Sequence, residues 1–216
     1  MILLILARLT GCHTPKTPLI ATYDIFHERT ILASTPEIIE MYPVWAGYDP
    51  ELDIQAFYKC RGRDTSCTPD VLHIRWILLL SRSKETTLSL ANMVTPTIDN
   101  LYKPEWVHYH SGDSISITGD KWKQVIMIDS ATNFTRTYTK TYEDKQLSNN
   151  SPTTYKTEEV TQYLYSTVSL EQLEKIADSR NLVITVGKDY KFNKPWKNKL
   201  FSLVEFNRLI REKHQK

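Results

Sequence analysis

The sequence lacks any long run of apolar residues after its first few positions. The longest such run, Trp76–Leu80, lies between Arg75 and Arg82. A helix that crosses a lipid bilayer needs about 20 consecutive, predominantly apolar residues, so this run is much too short to span one. Its length and composition instead predict a buried strand.

The chain also has little net charge and no compositional sign of disorder. Its formal net charge at pH 7 is +2, from 27 basic and 25 acidic residues. A DNA-binding domain usually carries a much larger cationic excess gathered on one face, so we expect no nucleic-acid partner. Hydrophobic residues make up 41% of the chain and aromatic residues 11%, which is enough to bury a substantial core.

No local signature of a catalytic nucleophile is present, because the sequence contains no Gly-x-Ser-x-Gly elbow. Neighbouring carboxylates such as Glu158 and Glu159 fall in polar stretches, where turns and solvated faces explain them. Catalytic triads, however, assemble from residues that are distant in sequence. An envelope hydrolase with a non-local active site therefore stays open as an alternative function, and the sequence predicts no cofactor.

Several segments between positions 30 and 142 have the residue pattern of β-strands. In Ser114–Thr118 and Asn133–Tyr142 the pattern repeats every two residues, which is typical of antiparallel strands with one solvent-exposed face. No strand alternates with a long helix, so a parallel α/β sheet is not expected. The predicted strands are Thr30–Ser34, Leu52–Cys60, Val71–Ser81, Thr86–Met93, Ser114–Thr118, Gln124–Asp129 and Asn133–Tyr142.

The C-terminal part of the chain predicts the order strand, helix, strand, strand, helix. Ser169, with Gln172 three residues later, matches a capping box that begins the first helix. An amphipathic pattern over Lys199–Lys213 predicts the second helix. The three strands are Thr161–Thr167, Leu182–Val186 and Tyr190–Phe192. The predicted fold class is α+β, mainly an antiparallel sheet on which this C-terminal segment packs.

The N-terminal segment combines an apolar stretch, Ile2–Ala7, with the tetrad Leu9-Thr10-Gly11-Cys12. This tetrad resembles the lipobox of bacterial lipoproteins, in which an aliphatic residue, a small residue and Gly, Ala or Ser precede an invariant cysteine. The resemblance covers this leader alone. It implies that residues 1–11 are a signal peptide and that the thiol of Cys12 is joined to diacylglycerol.

The same resemblance implies a location and a domain organisation. His13 stands where Asp would resemble the signal for inner-membrane retention, so the periplasmic face of the outer membrane is the expected location in a Gram-negative cell. Residues 12–24 contain two prolines and predict a lipidated tether, followed by a single domain over residues 25–216. The alternative is a cytosolic domain with three reduced thiols, in which Cys12 lies buried in an apolar first strand.

The other two cysteines, Cys60 and Cys67, flank a polar segment that contains Gly62. Such a turn can bring two strand ends within disulfide distance, and an oxidising cell envelope favours the bond. Two free thiols or half of a metal site are the alternatives. Zinc sites usually combine closely spaced cysteine pairs with further Cys or His residues, and that pattern is absent, so a disulfide is favoured.

Basic and aromatic residues alternate between Lys188 and Lys199. This pattern is suited to an anionic glycan, a lipid headgroup or a peptidoglycan strand, held by an aromatic platform and a cationic rim. The alternative is a solvated lysine edge that prevents sheets from aggregating. The candidate ligand-binding residues are Lys191, Lys194, Trp196 and Lys197.

A weaker candidate site is the pair His108 and His110. Residues two apart in a strand share a face, so both imidazoles are placed to bind one metal ion. The alternative is a strand that runs into the turn at Gly112, with both histidines solvated. The sequence favours this second interpretation and predicts no metal site.

Together these patterns predict a non-enzymatic lipoprotein anchored in the cell envelope, which binds or scaffolds another envelope component. Its expected contacts are the membrane, through the lipid anchor, and an anionic envelope component or another envelope protein.

Overall fold

The computed structural model describes residues 19–39, 50–85, 107–142, 153–194 and 200–215. It confirms the predicted α+β class, because antiparallel strands make up most of these residues and two helices accompany them. The elements are, in chain order, β1 (Leu19–Asp24), β2 (Arg29–Ser34), β3 (Glu37–Ile39), β4 (Glu51–Arg61), β5 (Leu72–Glu85), β6 (Ser114–Thr118), β7 (Lys123–Met127), β8 (Ser130–Tyr142), β9 (Thr153–Val168), α1 (Leu170–Asp178), β10 (Leu182–Val186), β11 (Tyr190–Lys194) and α2 (Phe201–His214).

A seven-stranded antiparallel sheet, the large sheet, runs in the order β1-β2-β4-β5-β9-β8, and β3 pairs with β4 beside β2. Its longest ladder joins β5 to β9, from Leu72 opposite Val168 to Glu85 opposite Tyr155. The sequence predicts only the second half of β9, because polar residues dominate its first half and hide the strand pattern.

The chain bends between β2 and β3, where Pro36 provides no amide hydrogen for a sheet ladder. Side chains of the large sheet fill the gap. The amide of Gln55 donates to the Ser34 carbonyl oxygen at 2.7 Å, and the Ser34 hydroxyl accepts from the backbone N–H of Ala56 at 3.0 Å. Gln55 is therefore almost fully buried, because it replaces hydrogen bonds that a neighbouring strand supplies elsewhere.

A second, four-stranded sheet, the small sheet, has the order β11-β10-β6-β7. The C-terminal strands β10 and β11 join this sheet, a division of the strands that the sequence does not predict. Tyr109 connects the two sheets, because its backbone N–H donates to Gln162 of β9 at 3.0 Å and its hydroxyl donates to the Val186 carbonyl oxygen at 2.9 Å. Gly187 has φ +58°, and a Cβ there would lie 2.4 Å from the ring of Tyr109.

The two helices begin with different caps. Ser169 and Gln172 form the predicted capping box at the start of α1. The buried carboxylate of Glu37, in β3, caps α2 by accepting from the backbone N–H of Ser202 at 3.1 Å and of Leu203 at 3.3 Å. Neither described helix is long and apolar enough to cross a membrane.

All of these elements share one hydrophobic cluster. It combines the inner face of the large sheet, one face of the small sheet and the apolar sides of both helices. Trp76 lies at its centre without solvent exposure, and its indole N–H donates to the Ser166 hydroxyl at 3.2 Å. The structure places these parts in one hydrophobic core.

The N-terminal part of the described chain is more regular than the sequence predicts. Residues 19–24, the last part of the predicted tether, form β1 and pair with β2 from Leu19 opposite Ser34 to Asp24 opposite Arg29. The tether prediction relied on prolines, and Pro18 is followed by a segment with strand propensity. The predicted strand Thr86–Met93, the predicted signal peptide over residues 1–11 and Cys12 lie outside the described residues.

Candidate binding surface

The large sheet has two unlike faces. The inner face contacts α2, as the rings of Tyr58 and Phe206 show with centroids 5.8 Å apart. Side chains of alternate residues in β4, β5 and β9 point the opposite way, to the outer face, because successive strand residues alternate between faces. We call six of them the outer-face cluster: Gln55, Phe57, Lys59, His73, Arg75 and Tyr165.

Strand register brings the rings of this cluster together. Phe57 lies opposite His73 on the neighbouring strand, and the two rings stack with centroids 5.0 Å apart and planes inclined by 22°. The ring of Tyr165 meets Phe57 edge-on, with centroids 6.2 Å apart. Phe57 is only 6% exposed, so it forms the floor of the cluster, with half-buried rings above it.

Arg75 lies in the next row, with Gln55 opposite on β4 and Tyr165 opposite on β9. Its guanidinium donates to the side-chain oxygen of Gln55. The side-chain amide N–H of Gln55 in turn donates to the Ser34 carbonyl oxygen. The Nε–H of Arg75 is buried and has no hydrogen-bond acceptor among the described atoms. A buried donor without an acceptor costs about 1–3 kcal/mol of folding free energy.

A basic group, Lys59, borders these rings and affects the titration of His73. Lys59 is exposed and its ammonium lies 5.7 Å from the centroid of the Phe57 ring, which is within cation–π range. Desolvation and the nearby Arg29 lower the pKa of Lys59, while Asp24 opposes them. Desolvation, followed by the charge of Lys59, also lowers the pKa of His73, which favours the neutral imidazole.

The outer face changes character away from this cluster. One end is acidic, because Asp53 lies two residues from Gln55, and burial together with the charge of Glu51 raises its pKa. On the β8 side, Phe134 is 61% exposed and lies opposite Thr161. The outer-face cluster therefore lies between an acidic end and a margin with an exposed ring.

The predicted ligand residues near the C-terminus lie elsewhere. Lys191 is exposed on the edge strand β11 of the small sheet. Lys194 is 6% exposed, and its ammonium donates to the Ser179 carbonyl oxygen at 2.6 Å, so it holds the end of α1 and does not contribute to an exposed cationic rim. Trp196 and Lys197 lie outside the described residues.

The two histidine candidates flank Tyr109, and both are exposed. The carboxylate of Asp113 accepts from the backbone N–H of His110 at 2.7 Å and so stabilises the turn. No group of three side chains suited to a metal ion occurs in the described parts of the chain.

Cys60 and Cys67 form the predicted disulfide, with Cα atoms 5.8 Å apart. This part of the sequence prediction is confirmed. The closed loop also supports α2, because the ammonium of Lys213 donates to the Thr65 carbonyl oxygen at 2.6 Å and to the Cys67 carbonyl oxygen at 3.2 Å.

One open cavity of about 450 Å³ lies between α1 and the β6–β7 turn. Two of its polar groups are engaged within the protein: Asp120 accepts from the backbone N–H of Arg180 at 3.0 Å, and the indole of Trp122 donates to Ser179 at 3.1 Å. No histidine, cysteine or tyrosine lines it. Four carboxylates do line it, Asp120, Glu171, Glu174 and Asp178, of which Glu171 pairs with Lys175 and Glu174 with Arg211.

Comparison with protein-family models, curated proteins and solved structures finds nothing that matches this chain. No local sequence pattern predicts the outer-face cluster, because its members come from three strands and are separated by up to about 110 positions. One partial signal is present in β4, where Gln55 and Lys59 alternate with the apolar residues Ile54 and Ala56. The aromatic residues Phe57 and Tyr58 interrupt this alternation.

Proposed function

We propose that the protein is a non-enzymatic, lipid-anchored binding module of the bacterial cell envelope. Cys12 carries the lipid, and an anionic envelope glycan lies across the outer-face cluster of the large sheet. The proposal for the anchor relies on the lipobox-like tetrad, and the proposal for the ligand relies on the cluster.

The observation that carries the ligand proposal is the arrangement of basic donors around stacked rings. Sugar rings pack on aromatic side chains, and carboxylates of a glycan pair with guanidinium and ammonium groups. Arg75 is half-buried within the cluster, and Lys59 is exposed beside the Phe57 ring.

The anchor is tested by growing cells with a radioactive fatty acid. The wild-type protein is expected to incorporate label, whereas the Cys12→Ala variant is expected to incorporate none. Cys67→Ala provides the matched control, because it removes a different cysteine and leaves Cys12 in place. Equal labelling of wild type and Cys12→Ala contradicts the lipoprotein proposal.

The ligand site is tested by sedimenting the full chain with purified peptidoglycan sacculi. The double variant Lys59→Met/Arg75→Met is expected to bind at least about tenfold more weakly, since hydrogen bonds to charged groups contribute about 1.5–3 kcal/mol each. Lys191→Met/Arg180→Met removes two exposed charges from other surfaces and is expected to bind as wild type does. Loss of binding in that control alone locates the ligand on the C-terminal basic stretch and contradicts the proposal.

A further inference from the structure

The turn between β1 and β2 exposes two large apolar side chains. Strand β1 ends at Asp24 and β2 begins at Arg29. At the tip between them, Ile25 is 69% exposed and Phe26 is 93% exposed. Polar residues and glycine usually occupy such turns, so this adjacent apolar pair has no explanation in the packing of the domain.

This turn is held in a defined conformation. One carboxylate oxygen of Asp24 accepts from the backbone N–H groups of Phe26 and His27, each at 3.2 Å. The other accepts from the His27 ring at 2.8 Å and from Arg29 Nε at 3.2 Å. Glu28 adopts φ 45°, a conformation that non-glycine residues adopt infrequently. The apolar tip is therefore presented by a rigid turn.

The disulfide loop lies directly beside the tip. The backbone N–H of Gly62 donates to the Glu28 carbonyl oxygen at 2.8 Å, and the Gly62 carbonyl oxygen accepts from the Thr30 hydroxyl at 2.8 Å. Because Gly62 belongs to the loop that Cys60 and Cys67 close, the loop and the turn are held together.

This loop places basic residues next to the apolar tip. Arg61 and Arg63 are both exposed, and the Arg63 guanidinium lies 4.9 Å from the centroid of the Tyr23 ring. The nearby carboxylates are Asp24, Glu28 and Asp64. Of these, Asp24 is bonded to Arg29, and Asp64 accepts from the backbone N–H and the hydroxyl of Ser66, each at 2.7 Å.

We propose that the β1–β2 turn inserts Ile25 and Phe26 into the headgroup region of an anionic lipid membrane, while Arg61 and Arg63 contact lipid phosphates. The small apolar area favours lipid over a protein partner, because a stable protein interface buries about 800 Å² on each side. Two apolar side chains provide only a fraction of that area. An apolar tip bordered by basic residues also matches the layered chemistry of an anionic membrane surface.

The turn and the proposed lipid can reach the same membrane. Strand β1 covers roughly 17 Å from Leu19 to Asp24 at about 3.4 Å per residue. The segment from Cys12 to Leu19 covers at most about 24 Å when fully extended. The turn thus provides a second contact that fixes the orientation of the domain, although insertion itself does not require the lipid at Cys12.

Vesicle sedimentation with the full chain carrying Cys12→Ala tests insertion, because the proposed anchor then makes no contribution. With vesicles of phosphatidylglycerol and phosphatidylethanolamine, Phe26→Ser is expected to weaken binding roughly tenfold. Phe201→Ser is the matched control, since Phe201 is 64% exposed elsewhere, and it is expected to bind as the parent does. Melting temperatures of both variants are expected to stay unchanged, because neither side chain is packed.

The charge component is tested in the same assay. Arg61→Gln and Arg63→Gln are each expected to weaken binding roughly fivefold, whereas Arg180→Gln is expected to have no effect. Phosphatidylcholine vesicles are expected to bind the parent at least tenfold more weakly. Equal binding of Phe26→Ser and its parent, or equal binding of neutral and anionic vesicles, overturns the proposal. Loss of self-association in Phe26→Ser without an effect on vesicles identifies a second copy as the occupant and also overturns it.

Discussion

The inner and outer faces of β4, β5 and β9 have different tasks, although their residues alternate along the same strands. On the inner face, Ile54, Ile74 and Leu164 have no solvent exposure. On the outer face, neighbouring positions hold Gln55, Arg75 and Tyr165. One buried face is enough to hold a sheet on its core, so the other is available for polar and aromatic residues, of which Gln55 also bonds to Ser34. We therefore expect substitutions of adjacent residues to affect stability and the proposed binding separately.

The largest expected effect belongs to the inner face. Ile74→Ala is expected to lower the free energy of unfolding by about 2–5 kcal/mol, because it leaves a cavity in the packed core. Ile77→Ala, on the half-buried outer face of the same strand, is the control, and its expected loss is about 1 kcal/mol. Chemical denaturation of both variants measures the difference. Equal losses would mean that the two faces are equally packed.

The disulfide is expected to give the next largest effect. Cys60→Ser/Cys67→Ser opens a short loop and is expected to lower the free energy of unfolding by about 2–3 kcal/mol, since the unfolded chain regains conformational freedom. The same loop supports α2 through Lys213. Thermal unfolding under oxidising and reducing conditions measures this effect. A wild-type melting temperature that does not change on reduction contradicts it.

A smaller effect on stability is expected from the outer-face cluster. Arg75→Met removes a buried N–H that has no acceptor but leaves the Gln55 oxygen without its donor. These changes oppose each other, so we expect the free energy of unfolding to shift by about 1 kcal/mol or less. Denaturation of Arg75→Met beside Ile74→Ala sharpens the comparison. A loss as large as that of Ile74→Ala would assign Arg75 to the structural core.

The smallest expected effect is a pH dependence from His73. Desolvation and Lys59 lower its pKa in the folded protein below the ordinary value of 6.5. The unfolded chain therefore binds more protons as the pH falls below that value, and stability is expected to decline there. In His73→Phe this part of the decline is expected to disappear. Denaturation of both proteins at pH 7 and below measures this decline. If the free energy of unfolding depends on pH equally in both, His73 is not its source.

The sequence predicts the parts of this fold that depend on local patterns. Ser114–Thr118 and Leu182–Val186 are strands with the predicted bounds, because they alternate regularly and are flanked by turn residues. The capping box at Ser169 is equally local. The disulfide also follows from a short polar turn between two cysteines.

Long-range pairing explains what the sequence does not predict. β3 is only three residues long, and it forms because residues after Pro36 pair with Leu52–Ile54 of β4. Lysine is usually a surface residue, yet the ammonium of Lys194 donates to the Ser179 carbonyl oxygen at the end of α1. The outer-face cluster depends on the β4–β5–β9 register, which no local pattern specifies.

We propose that an anionic glycan binds the outer face of the large sheet. Residue-resolved NMR on addition of soluble peptidoglycan fragments tests this most directly. We expect the largest chemical-shift changes at the amides of residues 55–59, 73–75 and 163–165, with little change at residues 188–194 of the small sheet. Changes confined to residues 188–194, or no changes with these fragments, would contradict the account.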